Sequence, residues 1–118
     1  MRMCRDELTL TPDRLKRSIS RVAEDDGRVV GFAEIIMDGA AARLEKLFVE
    51  PDTFRTGAGR KLFEWAARMA AAHGASMMTV ESDPQAAAFY RRMGALDDGA
   101  VASASIPGRM IPRLRFLL

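Results

Sequence analysis

Between residues 44 and 95 the chain runs strand pattern, glycine turn, helix pattern, strand pattern, helix pattern, and this order constrains the fold more than any other feature. The first strand pattern contains Leu44-Glu45-Lys46-Leu47-Phe48-Val49. Arg55-Thr56-Gly57-Ala58-Gly59-Arg60 follows and leads into a helix pattern over residues 59–73, ended by Gly74. Leu62, Ala66, Met69 and Ala70 recur there at helical spacing, and Phe63 and Trp65 widen the apolar stripe. Residues 76–81 read as a buried strand. Residues 84–93 read as a short helix with Asp83 as its cap and Gly94 as its stop. A strand–helix–strand crossover places two strands parallel in one sheet, with the helix on its face.

The flanking segments add antiparallel strands. Asp25-Asp26-Gly27 separates residues 21–24 from the apolar run at residues 29–36, a hairpin signal because Asp-Gly tolerates positive φ in a tight turn. Asp38-Gly39 repeats the signal, so residues 43–49 form the third strand of a meander. Upstream, Thr11-Pro12-Asp13 predicts the start of a helix over residues 11–19, with Leu15 and Ile19 as its apolar stripe. Downstream, residues 101–105 and 113–118 are strand candidates on either side of a turn at Pro107-Gly108. The expected class is α/β (α+β): one domain over residues 1–118 with a mixed, mostly antiparallel central sheet flanked by helices. A chain of 118 residues, 48% of them hydrophobic, suffices for one core.

The bulk properties exclude several classes. Net charge is only +2 and the arginines are scattered, which argues against a nucleic-acid partner. No apolar run is long enough to cross a bilayer, and the charged start, Met1-Arg2-Met3-Cys4-Arg5-Asp6-Glu7, lacks a signal-peptide core, so a cytoplasmic protein is expected. Cys4 is the only cysteine, which rules out an intrachain disulfide. No metal is expected.

The glycine loop is the first candidate site. Gly57 and Gly59 follow a strand and open a helix, whose N-terminal N–H groups and partial positive charge attract phosphate. Arg55 and Arg60 add charge that can reach phosphate oxygens. The alternative is a glycine-softened turn with solvated arginines. Neither a P-loop nor the third glycine of a dinucleotide fingerprint is present.

These residues resemble the GNAT family of N-acetyltransferases. Phe54-Arg55-Thr56-Gly57-Ala58-Gly59 is similar to the family's loop Gln/Arg-x-x-Gly-x-Gly/Ala, with Phe54 in place of Gln or Arg. Leu47-Phe48-Val49-x-Pro51 resembles the strand before that loop. Asp83-Pro84-x-Ala86-x-x-Phe89-Tyr90-x-x-Met93-Gly94-Ala95 resembles Asn-x-x-Ala-x-x-Phe-Tyr-x-x-x-Gly-Phe, with Asp83 for Asn and Ala95 for Phe. The motifs occur together and in order over roughly the C-terminal two-thirds of the chain.

The resemblance implies a GNAT-like fold and transfer of acetyl from acetyl-CoA to an amine, small-molecule or peptide, by direct attack in a ternary complex. It implies that Arg55, Thr56, Gly57, Ala58, Gly59 and Arg60 hold the diphosphate. The backbones of Leu47, Phe48 and Val49 would align the pantetheine, and Asp83 and Tyr90 would complete the cofactor site. Tyr90 is the candidate proton donor to the departing thiolate, since an ordinary phenol, pKa about 10, is protonated at neutral pH. Read alone, without the motif around it, it is rather a half-buried aromatic on an amphipathic helix. Glu45 is the candidate base, placed by two-residue alternation on the face of Leu47 and Val49; its alternative is a solvated carboxylate, or one paired with Arg43 or Lys46. His73 and Arg109 read as surface residues, and Met69, Met77, Met78 and Met93 as core.

One departure stands out. The family opens with a strand and one or two helices, whereas here about twenty residues precede the hairpin, so the first strand and helix are expected to be missing. An uncovered sheet edge invites a second chain, which predicts a homodimer. The rival functional reading is a CoA-binding regulatory or interaction module without turnover. A generic α/β fold with an accidental Gly-x-Gly would bind no CoA.

Overall fold

The computed structural model describes residues 2–3, 7–10, 16–51 and 57–118. Among these, ten elements run in the order β1 (Arg2–Met3), β2 (Glu7–Leu10), β3 (Lys16–Asp25), β4 (Arg28–Asp38), β5 (Ala41–Val49), α1 (Ala58–Ala72), β6 (Met77–Glu81), α2 (Ala87–Arg92), β7 (Leu96–Ala102) and β8 (Met110–Leu117). The strands form one sheet in the order β1-β3-β4-β5-β6-β8-β7, with β2 beside β3. Only β5 and β6 pair in parallel; the other pairings are antiparallel. The mixed, mostly antiparallel sheet of the sequence reading is therefore present.

The turns explain the meander. Asp26 and Gly27 both have positive φ, 51° and 78°, the pair a two-residue hairpin turn needs to match strand twist. Gly39, at φ 64°, serves the next reversal. Along β4 the side chains alternate: Ala33, Ile35 and Met37 are buried on one face, while Phe32, Glu34 and Ile36 are half-buried on the other. α1 lies on the first face and buries Leu62, Phe63, Trp65, Ala66 and Ala70. Gly31 is a point of close approach between helix and sheet. A Cβ there would lie 2.8 Å from Leu62 Cδ1 and 3.2 Å from the Phe48 carbonyl oxygen. Trp65 is 1% exposed, with the Arg21 guanidinium 5.4 Å from its ring centre. Of the four methionines expected in the core, Met78 is buried and Met69 and Met93 pack at its margin, whereas Met77 is not part of it.

The upstream helix is a correction. Residues 16–25 are β3, and Ile19 is a buried strand residue opposite Ile35 rather than part of a helical stripe. Leu10, placed before the helix cap, belongs to β2 and pairs with Arg17. The expected cap residues Thr11, Pro12 and Asp13, and Leu15, lie outside the described residues. Two apolar residues four apart fit a helix turn and a strand alternation equally well; pairing with β4 along the whole of β3 decides for the strand. Short strands β1 and β2 pair along the edge of β3, and no helix precedes it among the described residues. Near the C-terminus β7 begins at Leu96, earlier than the expected strand. The segment after it is a turn in which Ser103 Oγ accepts from the Ser105 and Ile106 N–H groups.

Candidate active site

β5 and β6 pair only through Ala41↔Met77, Ala42↔Met78 and Arg43↔Thr79. Beyond Arg43 the two strands part, so residues 44–49 of β5 have β4 on one side and, among the described residues, no strand on the other. Ser82, just past β6, has its N–H turned to the Pro112 carbonyl 2.9 Å away, on the β8 side. The result is a slot in the sheet that exposes one edge of β5 along Leu47, Phe48 and Val49. An open strand edge offers backbone donors and acceptors to an extended, amide-bearing ligand.

α1 opens at this slot. Its N-cap is Gly57, held at φ 80°, with no side-chain cap and no acidic residue in the first turn. The first helical bond runs from the Lys61 N–H to the Gly57 carbonyl, so the N–H groups of Ala58, Gly59 and Arg60 have no helical partner. The two glycines do different work. A Cβ on Gly57 would touch nothing within 4 Å, so glycine is needed there for its backbone angle. A Cβ on Gly59 would meet Phe89 ring carbons at 3.4 Å and Val49 Cγ2 at 3.6 Å, so this glycine lets α1, α2 and β5 converge. Arg55 and Thr56 lie outside the described residues.

Glu45 requires a correction. Glu34 pairs with Lys46 but Ile35 pairs with Leu44, so Glu45 is the extra residue of a β-bulge. The bulge shifts the alternation. Leu44 is buried with Leu47 and Val49 packed on the core, while Glu45 is exposed and off that face. Its carboxylate accepts from Arg43 Nε–H at 2.6 Å, the ion pair that the alternative reading named.

Tyr90 sits on α2 and is 6% exposed. Its ring lies 6.0 Å from Phe63 and 5.2 Å from Phe89, and Phe63 in turn meets Phe116 edge-on at 5.1 Å. Burial among these rings pushes its phenol up to about 12, because the phenolate would lose solvation. Gly94, at φ 106°, ends α2, with the Ala95 N–H returning to the Tyr90 carbonyl.

Asp83 is displaced from its expected role as helix cap. α2 begins at Ala87 with Ala86 as N-cap, and Asp83 Oδ1 instead accepts the Gln85 N–H of the preceding turn. It is exposed, with Arg109 Nη2 4.0 Å away. His73 is exposed at the C-cap of α1, with Nδ1 2.9 Å from the Met69 carbonyl. Among the described residues no group of three His, Cys, Asp or Glu side chains could hold a metal, and no helix is long and apolar enough to cross a membrane.

The structure thus brings Leu47, Phe48, Val49 and Gly57–Arg60 to one slot, with Phe89 of α2 against Gly59 and Tyr90 next along the helix. It leaves Glu45 and Asp83 on exposed ground. Sequence reading missed the bulge, whose signal lies in pairing register alone. It also missed a groove of about 410 Å3 between α1, α2 and β8, lined by Arg60, Phe63, Glu64, Ala67, Arg68, Arg92, Met93 and Phe116.

Comparison with known proteins agrees with this geometry. A crystal structure of an acetyltransferase from Bacillus cereus ATCC 14579 superposes with a TM-score of 0.76 at 19% identity, covering 92% of this chain and 81% of that one. A GCN5-related N-acetyltransferase from Rhodopseudomonas palustris gives 0.74 at 26% identity, over 86% of this chain and 62% of that one. An aminoglycoside 6'-N-acetyltransferase solved with coenzyme A gives 0.72 at 16% identity, over 85% and 72%. No curated protein sequence matches. The model of the GNAT acetyltransferase domain matches residues 16–94, which contain the meander, the slot, the start of α1 and Tyr90, and the chain therefore belongs to the GNAT acetyltransferase family.

Proposed function

We propose that this chain is an acetyl-CoA-dependent N-acetyltransferase acting on a primary amine by direct attack in a ternary complex. The observation that carries the reading is that the uncapped N-terminus of α1 opens at the slot where β5 leaves β6. Family membership supports acyl-CoA-dependent transfer. The N–H groups of Ala58, Gly59 and Arg60, with the Arg60 side chain and with Arg55 and Thr56 of the loop, hold the diphosphate. The backbones of Leu47, Phe48 and Val49 would pair with the pantetheine amides, and Asp83 would complete the cofactor site.

When bound, acetyl-CoA supplies the thioester whose C–S bond breaks as the amine forms the new C–N bond. Tyr90 donates to the departing sulfur. A phenol raised to about 12 is fully protonated at neutral pH. Giving its proton completely to an ordinary thiolate is uphill by roughly three pH units, so Tyr90 acts chiefly as a hydrogen-bond donor to the developing charge. The amine proton leaves through water, with Glu45 as acceptor once Arg43 releases it. The protein works in the cytoplasm as a homodimer that pairs through the outer edge of β7, which has no strand beside it among the described residues and where Leu96 is 52% exposed.

Calorimetry with acetyl-CoA and a thiol-release screen over primary amines test the reading. Saturable binding with turnover is expected, and Tyr90→Phe should lower kcat roughly 10–100-fold with little change in CoA affinity. Equal rates would remove Tyr90 from the chemistry. The ion pair that engages Glu45 favours a second reading, a CoA-binding module without catalysis. Binding without thiol release for any amine would establish it. A monomer by light scattering at micromolar concentration would overturn the dimer.

A further inference from the structure

The two banks of the slot carry opposite charges that no neighbour neutralises. α1 and α2 pack together through Phe63, Phe89 and Tyr90, on the face of the sheet that holds Ala33, Ile35 and Met37. The opposite face presents other side chains at the slot. On β5, Lys46 and Phe48 lie across from Glu34 and Phe32 of β4, so they share that second face. On β6, Met78 and Val80 are buried towards α1, so Thr79 and Glu81 share it too. Lys46 therefore stands on one bank and Glu81 on the other, both past the last β5–β6 rung at Arg43↔Thr79. Glu81 lies about 6.6 Å along the strand from that rung.

The charges around them are already engaged. Arg43 holds Glu45 at 2.6 Å, and Glu34 accepts from Ser18 Oγ at 2.6 Å. Arg113, directly across from Glu81 on β8, is drawn to Asp98, with Nε 3.5 Å from Oδ2, and Arg115 shares the same carboxylate. The side chains of Lys46 and Glu81 have neither an ion pair nor a hydrogen bond among the described residues. A cation and an anion on opposite banks of a gap are complementary to a molecule that carries both charges. Phe48, next after Lys46 on this face of β5, is 52% exposed and adds an apolar surface beside the cation. From this we infer that the acceptor is a free α-amino acid with an apolar side chain. Its α-ammonium sits on Glu81, its carboxylate on Lys46 and its side chain on Phe48. The assignment rests on the acetyltransferase function proposed above: with the diphosphate at α1 the pantetheine enters from the helix side, so the amine reaches the thioester from the opposite face. Transfer converts the ammonium and acetyl-CoA into an N-acetyl amino acid, the CoA thiol and one released proton. Lys46 and Glu81 bind and orient the acceptor; the proton leaves by the route given above.

The test is thiol release from acetyl-CoA with L-leucine, L-phenylalanine and their carboxamides, in the parent, Lys46→Gln and Glu81→Gln, with the CoA affinity of each measured by calorimetry. The carboxamides keep the amine and the side chain and lack the anion. The parent should acetylate both acids. Lys46→Gln should lower kcat/KM about tenfold for the acids, the size of one charge-assisted hydrogen bond, and leave the carboxamides within about twofold. Glu81→Gln should raise KM about tenfold for acids and carboxamides alike. Unchanged CoA affinity in both variants shows that the fold and the slot are intact. Carboxamides acetylated while the acids are not, or a Lys46→Gln loss equal for both, overturns the inference and leaves the acetyltransferase reading standing. CoA binding without thiol release from either acid also overturns it, and the wider screen of primary amines then decides the acetyltransferase reading by itself. No CoA binding overturns both.

Discussion

Tyr90 is where burial and chemistry meet in one side chain. Its phenol is raised from 10 to about 12, so the folded state favours the neutral form. The stabilisation is complete below pH 10 and is lost as pH climbs from about 10 to 12, an effect of about 2–3 kcal/mol. Denaturant titrations at pH 8 and near pH 12 should show this loss in the parent and its absence in Tyr90→Phe. An equal alkaline loss in both would place it elsewhere. Trp65 presents the opposite case: its Nε1–H is buried with no hydrogen-bond partner among the described residues. Trp65→Phe deletes an unsatisfied donor and keeps a ring beneath Arg21, so it should cost under about 1.5 kcal/mol, against roughly 3–5 for Trp65→Ala. Thermal melts of the two variants check the ordering. Tyr90 and Gly57 were legible in the sequence because each sits in a motif with a mechanical reason for its residue type. The direction of Glu45 was not, since alternation counted from Leu47 carries no mark of an inserted residue.

The elements were readable where local chemistry forces them. Asp26-Gly27 and Gly39 turn the meander, and Gly74 and Gly94 lie just beyond the two helices at positive φ. Upstream, the pattern Leu15 and Ile19 after Thr11-Pro12 was ambiguous, and pairing of β3 with β4 decided it. Two glycines give predictions at this scale. Gly31→Val would drive a side chain against Leu62, which is fully buried and cannot swing away, and against the Phe48 carbonyl. It should destabilise by about 1–3 kcal/mol by urea unfolding. Gly57→Ala touches nothing but must hold φ 80°, at about 1–2 kcal/mol, and should weaken CoA binding by tilting the first N–H groups of α1. Calorimetry showing unchanged CoA affinity in a folded Gly57→Ala variant would move the diphosphate away from this helix end.

At the scale of the molecule the site is a property of the sheet. Three residue pairs hold β5 to β6, and their divergence beyond Arg43 makes the slot. Arginines at the start of α1 and in the groove add favourable potential for an anionic ligand, so CoA affinity should fall several-fold as salt rises from about 50 to 500 mM, where the screening length shrinks from over 10 Å to under 5 Å. A salt-independent Kd by calorimetry would count against phosphate pairing. By itself the sequence determined the meander, the crossover, the glycine N-terminus and the tyrosine helix, because turns, caps and apolar periodicity act over a few residues. Tertiary structure alone decided where β5 and β6 part, which way Glu45 points after its bulge, and that Arg60 and Arg68 of one helix meet Arg92 of another. Those outcomes depend on register and packing between segments far apart in the chain, and no local pattern encodes them.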